Sequence, residues 1–234
     1  MPETQDSRKS VISSRNTELD SKMGGGLPTG SLTLVEGTSG AGKSVLTQQI
    51  VKGSLEDGCQ VSMFTTENNV KSLVTQMRSI DLEILDFLLL RKLRVYPVEL
   101  SRLGDEAPFT LLSAMRQEEK RDLLVVDSFS SAITHSDETH ILGFFEECKR
   151  LCATGITIII TLHPEIVDGE LISAIRSMCD ANLRLRTEQD GQRLVKTLEV
   201  AKIRGAASGT GAIVGFDVEP GWGMRIIPIS KARG

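Results

Sequence analysis

The residues best suited to chemistry in this chain lie between Gly37 and Val45. Gly37, then Thr38, Ser39, Gly40 and Ala41, then Gly42-Lys43-Ser44 fits the G-x-x-x-x-G-K-[ST] phosphate loop. A triphosphate must shed water on binding, so its site has to replace that hydration with many donors. Glycines at 37, 40 and 42 permit backbone angles that turn successive N–H groups inward. The run from Ser44 through Val45 onward reads as a helix, whose N-terminus adds a dipole favourable to negative charge. Lys43 is placed to bridge β- and γ-phosphates, and the Ser44 hydroxyl to coordinate Mg²⁺. The ligands expected are ATP and Mg²⁺.

Other residues could complete such a site. Asp127 ends the apolar run Leu123-Leu-Val-Val, so its carboxylate is expected at the C-terminal edge of a sheet, where open α/β folds bind ligands. There it would hold Mg²⁺ directly or through water, or else merely serve as a helix cap. Glu67 ends the preceding apolar run. If that strand neighbours the P-loop strand, Glu67 faces the γ-phosphate and can polarise an attacking water; otherwise it is a solvated loop carboxylate. His163 closes a buried strand over 156–162 and is either a reader of the γ-phosphate or an ordinary His-Pro turn residue. Lys202 and Arg204 precede Gly205. They either reach into a neighbouring subunit to neutralise phosphoryl charge or form a basic surface loop.

These side chains need a scaffold that brings strand ends together. Leu32 to Val35 reads as a buried strand leading into the phosphate loop. Strand and helix patterns alternate to about residue 180, with helices expected over 69–79, 81–90, 108–120, 137–153 and 171–178. From residue 181 the pattern turns to β-structure, with a hairpin signal at Gln189-Asp-Gly191. The expectation is an α/β fold whose mainly parallel central sheet is flanked by helices and extended by antiparallel C-terminal strands. Residues 1–16 are polar and charged, and read as a flexible tail with a short docking strand near Val11. Residues 17–234 read as a single domain.

Composition narrows the classes. With 40% hydrophobic and 25% charged residues the chain is ordinary for a globular protein. No apolar run reaches the roughly 18 residues of a membrane span, and the polar N-terminus does not read as a secretory signal. A net charge of −4 argues against a surface devoted to nucleic acid. The segment from His163 to Glu170 is short and acidic, unlike a DNA-contacting loop. Cys148 and Cys152 share a helix face at four-residue spacing; they read as small buried hydrophobes or, alternatively, half a metal site.

Leu19-Asp20, the run Gly24 to Gly30, the phosphate loop, Thr65-Thr-Glu67, Val125-Val-Asp-Ser128 and Lys202-Ile-Arg-Gly205 occur in one order over about residues 17 to 220. Together they resemble the KaiC-like branch of the RecA superfamily. Within it, Leu34-Val-Glu-Gly37 and Lys43-Ser-Val-Leu46 are similar to the archaeal flagellum (archaellum) accessory ATP-binding family FlaH (ArlH). The resemblance implies a RecA-like core, Glu67 as the catalytic carboxylate, Asp127 as the Walker B acid, and Lys202 and Arg204 reaching the adjacent subunit's ATP. It implies hexameric rings in the cytoplasm, docked beneath the secretion ATPase FlaI, that regulate assembly or rotation of the motor with weak or no hydrolysis. No nucleic acid is expected, and any link to the membrane runs through the motor complex. The alternatives are a KaiC-like ATPase of another pathway and a recombinase-like DNA-dependent ATPase.

Overall fold

The computed structural model describes residues 10–190, 193–205 and 211–227. The chain opens with β1 (Val11–Ile12), α1 (Thr17–Lys22) and β2 (Leu27–Pro28), then the P-loop strand β3 (Leu32–Gly37) and α2 (Lys43–Glu56). β4 (Val61–Thr65), α3 (Val70–Ser79), α4 (Leu85–Leu89) and β5 (Leu93–Pro97) come after it. Next are α5 (Ala107–Arg116), β6 (Leu123–Asp127), α6 (Ser130–Ile133), α7 (Glu138–Ala153), β7 (Thr157–Leu162) and α8 (Gly169–Met178). The described chain finishes with β8 (Ala181–Asp190), β9 (Arg193–Ile203), β10 (Ala212–Glu219) and β11 (Gly223–Ile227).

The main sheet runs β11-β10-β9-β8-β3-β7-β6-β4-β5. From β8 to β5 every neighbouring pair is parallel, while β9, β10 and β11 add on antiparallel. The α/β class, with its antiparallel C-terminal extension, is therefore as the sequence suggested. β3, β4, β6 and β7 are buried at every residue, which is why they read as continuous apolar runs rather than alternating ones.

Alternation still decides which core each residue enters. Val35, Val125 and Ile159 join α2 and α3 on one face of the sheet. Leu34, Val126 and Ile160 join α5, α7 and α8 on the other. That second core centres on Phe129, Phe144 and Phe145, with the Phe129 and Phe144 rings stacked at 4.3 Å.

One local difference from the sequence reading has a clear cause. The helix expected over 81–90 shrinks to Leu85–Leu89, because Asp81 and Arg91 bracket it with φ of 61° and 56°. The short docking strand expected near Val11 is β1, which pairs with β2, and Ile12 and Ser14 are buried. Ser14 lies so close to α2 that a Cβ on Gly53 would come within 2.4 Å of its backbone. Residues 1–9 lie outside the described chain.

Candidate functional site

The phosphate loop sits at the C-terminal end of β3 and runs straight into α2. Gly42 is the N-cap of α2, in the left-handed region at φ 103°, and it supplies no side chain to the first-turn N–H groups. Asn16, Asn69 and Asp168 do supply one at α1, α3 and α8. The start of α2 thus lacks a side-chain cap, as do α4, α5, α6 and α7. At α2 the phosphate-loop motif leads straight into those donors, so an anion in the loop would meet them. Gly40, at φ 74°, also uses left-handed backbone. Gly37 does not, which corrects the expectation that all three glycines serve backbone angles. A Cβ on Gly37 would lie 2.5 Å from the Leu185 carbonyl oxygen, so Gly37 is there to let β8 approach. Thr38 is half-buried, Ser39 and Gly40 are exposed, Ala41 is buried and Val45 half-buried.

Lys43 is buried, and its Nζ donates to the Gly37 and Thr38 carbonyls at 2.8 and 2.9 Å, with His163 Nδ1 at 3.3 Å. Burial lowers its pKa, opposed by the charges of Glu67, Asp127 and Glu165. The charges of three carboxylates thus act on a lysine whose ammonium is held by the loop's own carbonyls. His163 is held below the ordinary imidazole range by burial and by Lys43.

Asp127 is 1% exposed. Its Oδ1 accepts from the Thr161 hydroxyl at 2.7 Å and from Ser44 Oγ at 3.4 Å, while its buried Oδ2 has no partner. Burial pushes its pKa up, only partly offset by the Thr161 hydrogen bond. An orphaned carboxylate oxygen beside the P-loop serine fits a Mg²⁺ that takes its remaining ligands from phosphate and water. Among the described residues no group of three or more His, Cys, Asp or Glu could hold a metal, so such an ion would depend on the nucleotide.

Glu67 is exposed, just past β4. Its strand is not next to β3, because β7 and β6 intervene; the premise that β4 neighbours the P-loop strand is corrected. Glu67 nonetheless shares the sheet edge with Lys43 and Asp127 and acts on both electrostatically. Thr66 bridges the two strand tips: its N–H donates to the Asp127 carbonyl at 2.9 Å, and its hydroxyl exchanges hydrogen bonds with the Ser128 backbone.

Lys202 and Arg204 lie elsewhere. Lys202 pairs with Asn182 and Ile203 with Ala181, whereas Gly37 pairs with Leu185. Three residues of strand, roughly 10 Å, separate that level from the loop, and the loop extends further in the opposite direction. Lys202 Nζ donates to the carbonyls of Arg176, Ser177 and Cys179; Arg204 lies beside Asp180 and Ser177.

Sequence reasoning missed Glu36. Buried at 2% exposure, it is gripped by Arg176 through Nε and Nη2 and by Arg184 through Nε, tying the root of the loop to α8 and β8. Thr161 was equally unforeseen, although a threonine interrupting the aliphatic run at the C-terminal end of β7 was a readable signal.

A family model described as "ATPase: KaiC" matches residues 13–231. The archaeal flagellar ATP-binding protein FlaH of Sulfolobus acidocaldarius is 33% identical over 95% of this chain and 99% of its own. Its namesake from Methanocaldococcus jannaschii is 27% identical over 89% and 91%. The crystal structure of the M. jannaschii flagellar accessory protein FlaH superposes with a TM-score of 0.82 at 24% identity, covering 94% of this chain and all of that one. A KaiC-like protein from Pyrococcus horikoshii gives 0.75 at 21%, covering 94% and 98%. These two structures speak for the RecA-like fold, and the sequence matches for the family. This chain belongs to the KaiC-like ATPases and, among them, to the archaeal flagellar family FlaH.

Proposed function

We propose that this chain is an ATP-binding regulatory component of the archaeal flagellum motor. Mg·ATP at the Gly37–Ser44 loop sets ring assembly and affinity for the secretion ATPase FlaI, with weak or no hydrolysis. The observation that carries this reading is convergence at one sheet edge: an uncapped α2 N-terminus, buried Lys43, and a buried Asp127 oxygen without a partner beside Ser44. A site left part-paired in this way gains most from a charged ligand and its metal.

Lys202 and Arg204 are proposed to act in trans, across a ring interface. They lie at the far end of the sheet from their own phosphate loop, so a nucleotide they touch must belong to another copy. Among the described residues no helix is long and apolar enough to cross a membrane. The proposed location is the cytoplasm, with recruitment to the membrane face by the motor partners.

The test is particle mass and FlaI retention in Mg·ATP, Mg·ADP and nucleotide-free buffer. Larger assemblies and stronger retention with Mg·ATP are expected; identical masses and retention in all three would sink the gating reading. Arg204→Ala should keep monomer affinity for ATP within about twofold while losing assembly. A collapse of monomer affinity would place Arg204 in its own chain's site instead.

A further inference from the structure

We propose that Arg176 is a positioning residue for nucleotide binding: by neutralising Glu36 it lets a triphosphate settle in the phosphate loop. This rests on the phosphate-loop reading of Gly37–Ser44.

A carboxylate at the root of an anion site is out of place. Glu36 immediately precedes Gly37, and Gly37 and Thr38 supply the carbonyls that hold Lys43. At 2% exposure Glu36 has little water to spread its charge. Unpaired, it would repel the phosphates that Lys43 and the start of α2 attract. An open cavity of about 420 Å³ brings Glu36, Gly37 and Thr38 together with Glu165, Arg176 and Arg184. The carboxylate and the loop therefore border one space, and a second acid, Glu165, faces it too.

Arg176 carries most of the compensation. Its Nε lies 3.0 and 3.1 Å from the two Glu36 oxygens, and its Nη2 donates to Oε2 at 2.6 Å. Contact of this forked kind is the strong form of a charge-assisted pair. Arg184 adds one donor, its Nε at 2.8 Å, but its Nη1 also lies 3.4 Å from Glu199, so its charge is shared. Among the described residues Arg176 pairs with no carboxylate except Glu36. Its backbone is fixed as well. Lys202 Nζ donates to the carbonyls of Arg176, Ser177 and Cys179, which anchors the last turn of α8 from which the arginine extends. The geometry dedicates Arg176 to Glu36.

A clasp that only holds α8 against β3 would be indifferent to the charge of what fills the loop, whereas a counter-charge would not. Calorimetric titrations of the full chain with Mg·ATP and Mg·ADP, at concentrations where it is monomeric, separate the two roles. Arg176→Met should weaken Mg·ATP roughly fivefold or more, and Mg·ADP less, because the diphosphate carries less charge. Adding Glu36→Gln to that variant should return Mg·ATP to within about twofold of the parent, since no buried charge then lacks its partner. No loss in Arg176→Met, or a loss that persists in the double variant, overturns the proposal. If Arg176→Met fails to fold, Glu36→Gln alone decides. Freed of the carboxylate, the two arginines should tighten Mg·ATP about twofold or more, and an affinity equal to or below the parent's rejects the proposal. Lys43→Ala is the control for the underlying site. Unchanged affinity for both nucleotides there would overturn the phosphate-loop reading, and with it this proposal. Lost affinity there alongside unchanged affinity in Arg176→Met would overturn only the role of Arg176.

Discussion

Asp127 and Glu118 are both buried carboxylates on the β5-β4-β6 side of the sheet, yet the fold treats them oppositely. Glu118 lies just before β6 and receives the Ser62 hydroxyl at 2.7 Å, Tyr96 Oη at 2.8 Å, Arg94 Nη1 at 2.8 Å and Arg121 Nε at 3.1 Å. Burial alone would push its pKa up, but those hydrogen bonds outweigh burial and hold it at about 2. Asp127, at the other end of β6, has two hydroxyl donors on one oxygen and none on the second. Burial wins there and its pKa rises. A saturated buried carboxylate is a structural clasp. A part-paired one is an unfinished site that an Mg²⁺ would complete.

Breaking the clasp should have the largest effect. Glu118→Ala removes the counter-charge of the buried Arg121 guanidinium, which keeps only Gln60 and the Arg91 carbonyl, and should cost about 3–5 kcal/mol of stability. That corresponds to a melting temperature roughly 10 °C lower for a chain of this size. Nucleotide affinity of the molecules that remain folded should not change; a shift below about 2 °C in thermal unfolding would show that the network carries little. The pH dependence has a definite sign. Because Glu118 is depressed in the fold, its contribution is complete above the unfolded carboxylate value of about 4.3 and is lost as pH falls toward about 2. Acid titrations of stability should therefore be shallower in Glu118→Ala than in the parent over that window.

Asp127→Asn should act in the opposite sense on stability and more strongly on ligand. A raised folded-state pKa means the fold holds the proton more tightly than the unfolded chain does, so this residue's contribution falls as pH rises past its ordinary value. Removing the charge should leave the nucleotide-free melting temperature at pH 7 equal or a few degrees higher. Affinity for Mg·ATP should fall roughly tenfold or more, as when one charged partner of a buried contact is lost, and affinity for metal-free ATP much less. Equal losses with and without metal would remove the metal role.

What could be read from the sequence was local. The phosphate loop is contiguous, so Lys43 and Ser44 could be placed from spacing alone. Asp127 and Glu67 each close an apolar run, so their sheet edge followed from the strand pattern. The unreadable parts depend on pairings across the chain. Glu36 meets Arg176 at a separation of 140 residues, and nothing in the flanking residues of either points to the other. The strand order was equally hidden, because β4 follows β3 in sequence but β7 and β6 separate them in the sheet. Lys202 and Arg204 carried a motif, but their place at the end of the sheet remote from their own loop emerges only from the β8–β9 register. Gly37 looked like a backbone-angle glycine because its motif partners are; its actual reason is the Leu185 carbonyl on a strand nearly 150 residues away.

The finest test removes a single hydroxyl from each carboxylate. Thr161→Val deletes the stronger of the two donors to Asp127 Oδ1, whereas Ser62→Ala deletes one of four side-chain donors to Glu118. Each should cost about 1 kcal/mol or less in stability, the ordinary value of one hydrogen bond, so thermal unfolding alone will not separate them. Their consequences for ligand should separate. Losing Thr161 removes the main interaction that offsets burial, drives Asp127 further toward its protonated form, and should weaken Mg·ATP, with the deficit shrinking as pH is raised. Losing Ser62 leaves Glu118 ionised, held by Arg94, Tyr96 and Arg121, and should leave Mg·ATP binding flat across the same range. Matching pH profiles in the two variants would mean that Asp127 is no more open than Glu118. The distinction between clasp and unfinished site would then have to be given up.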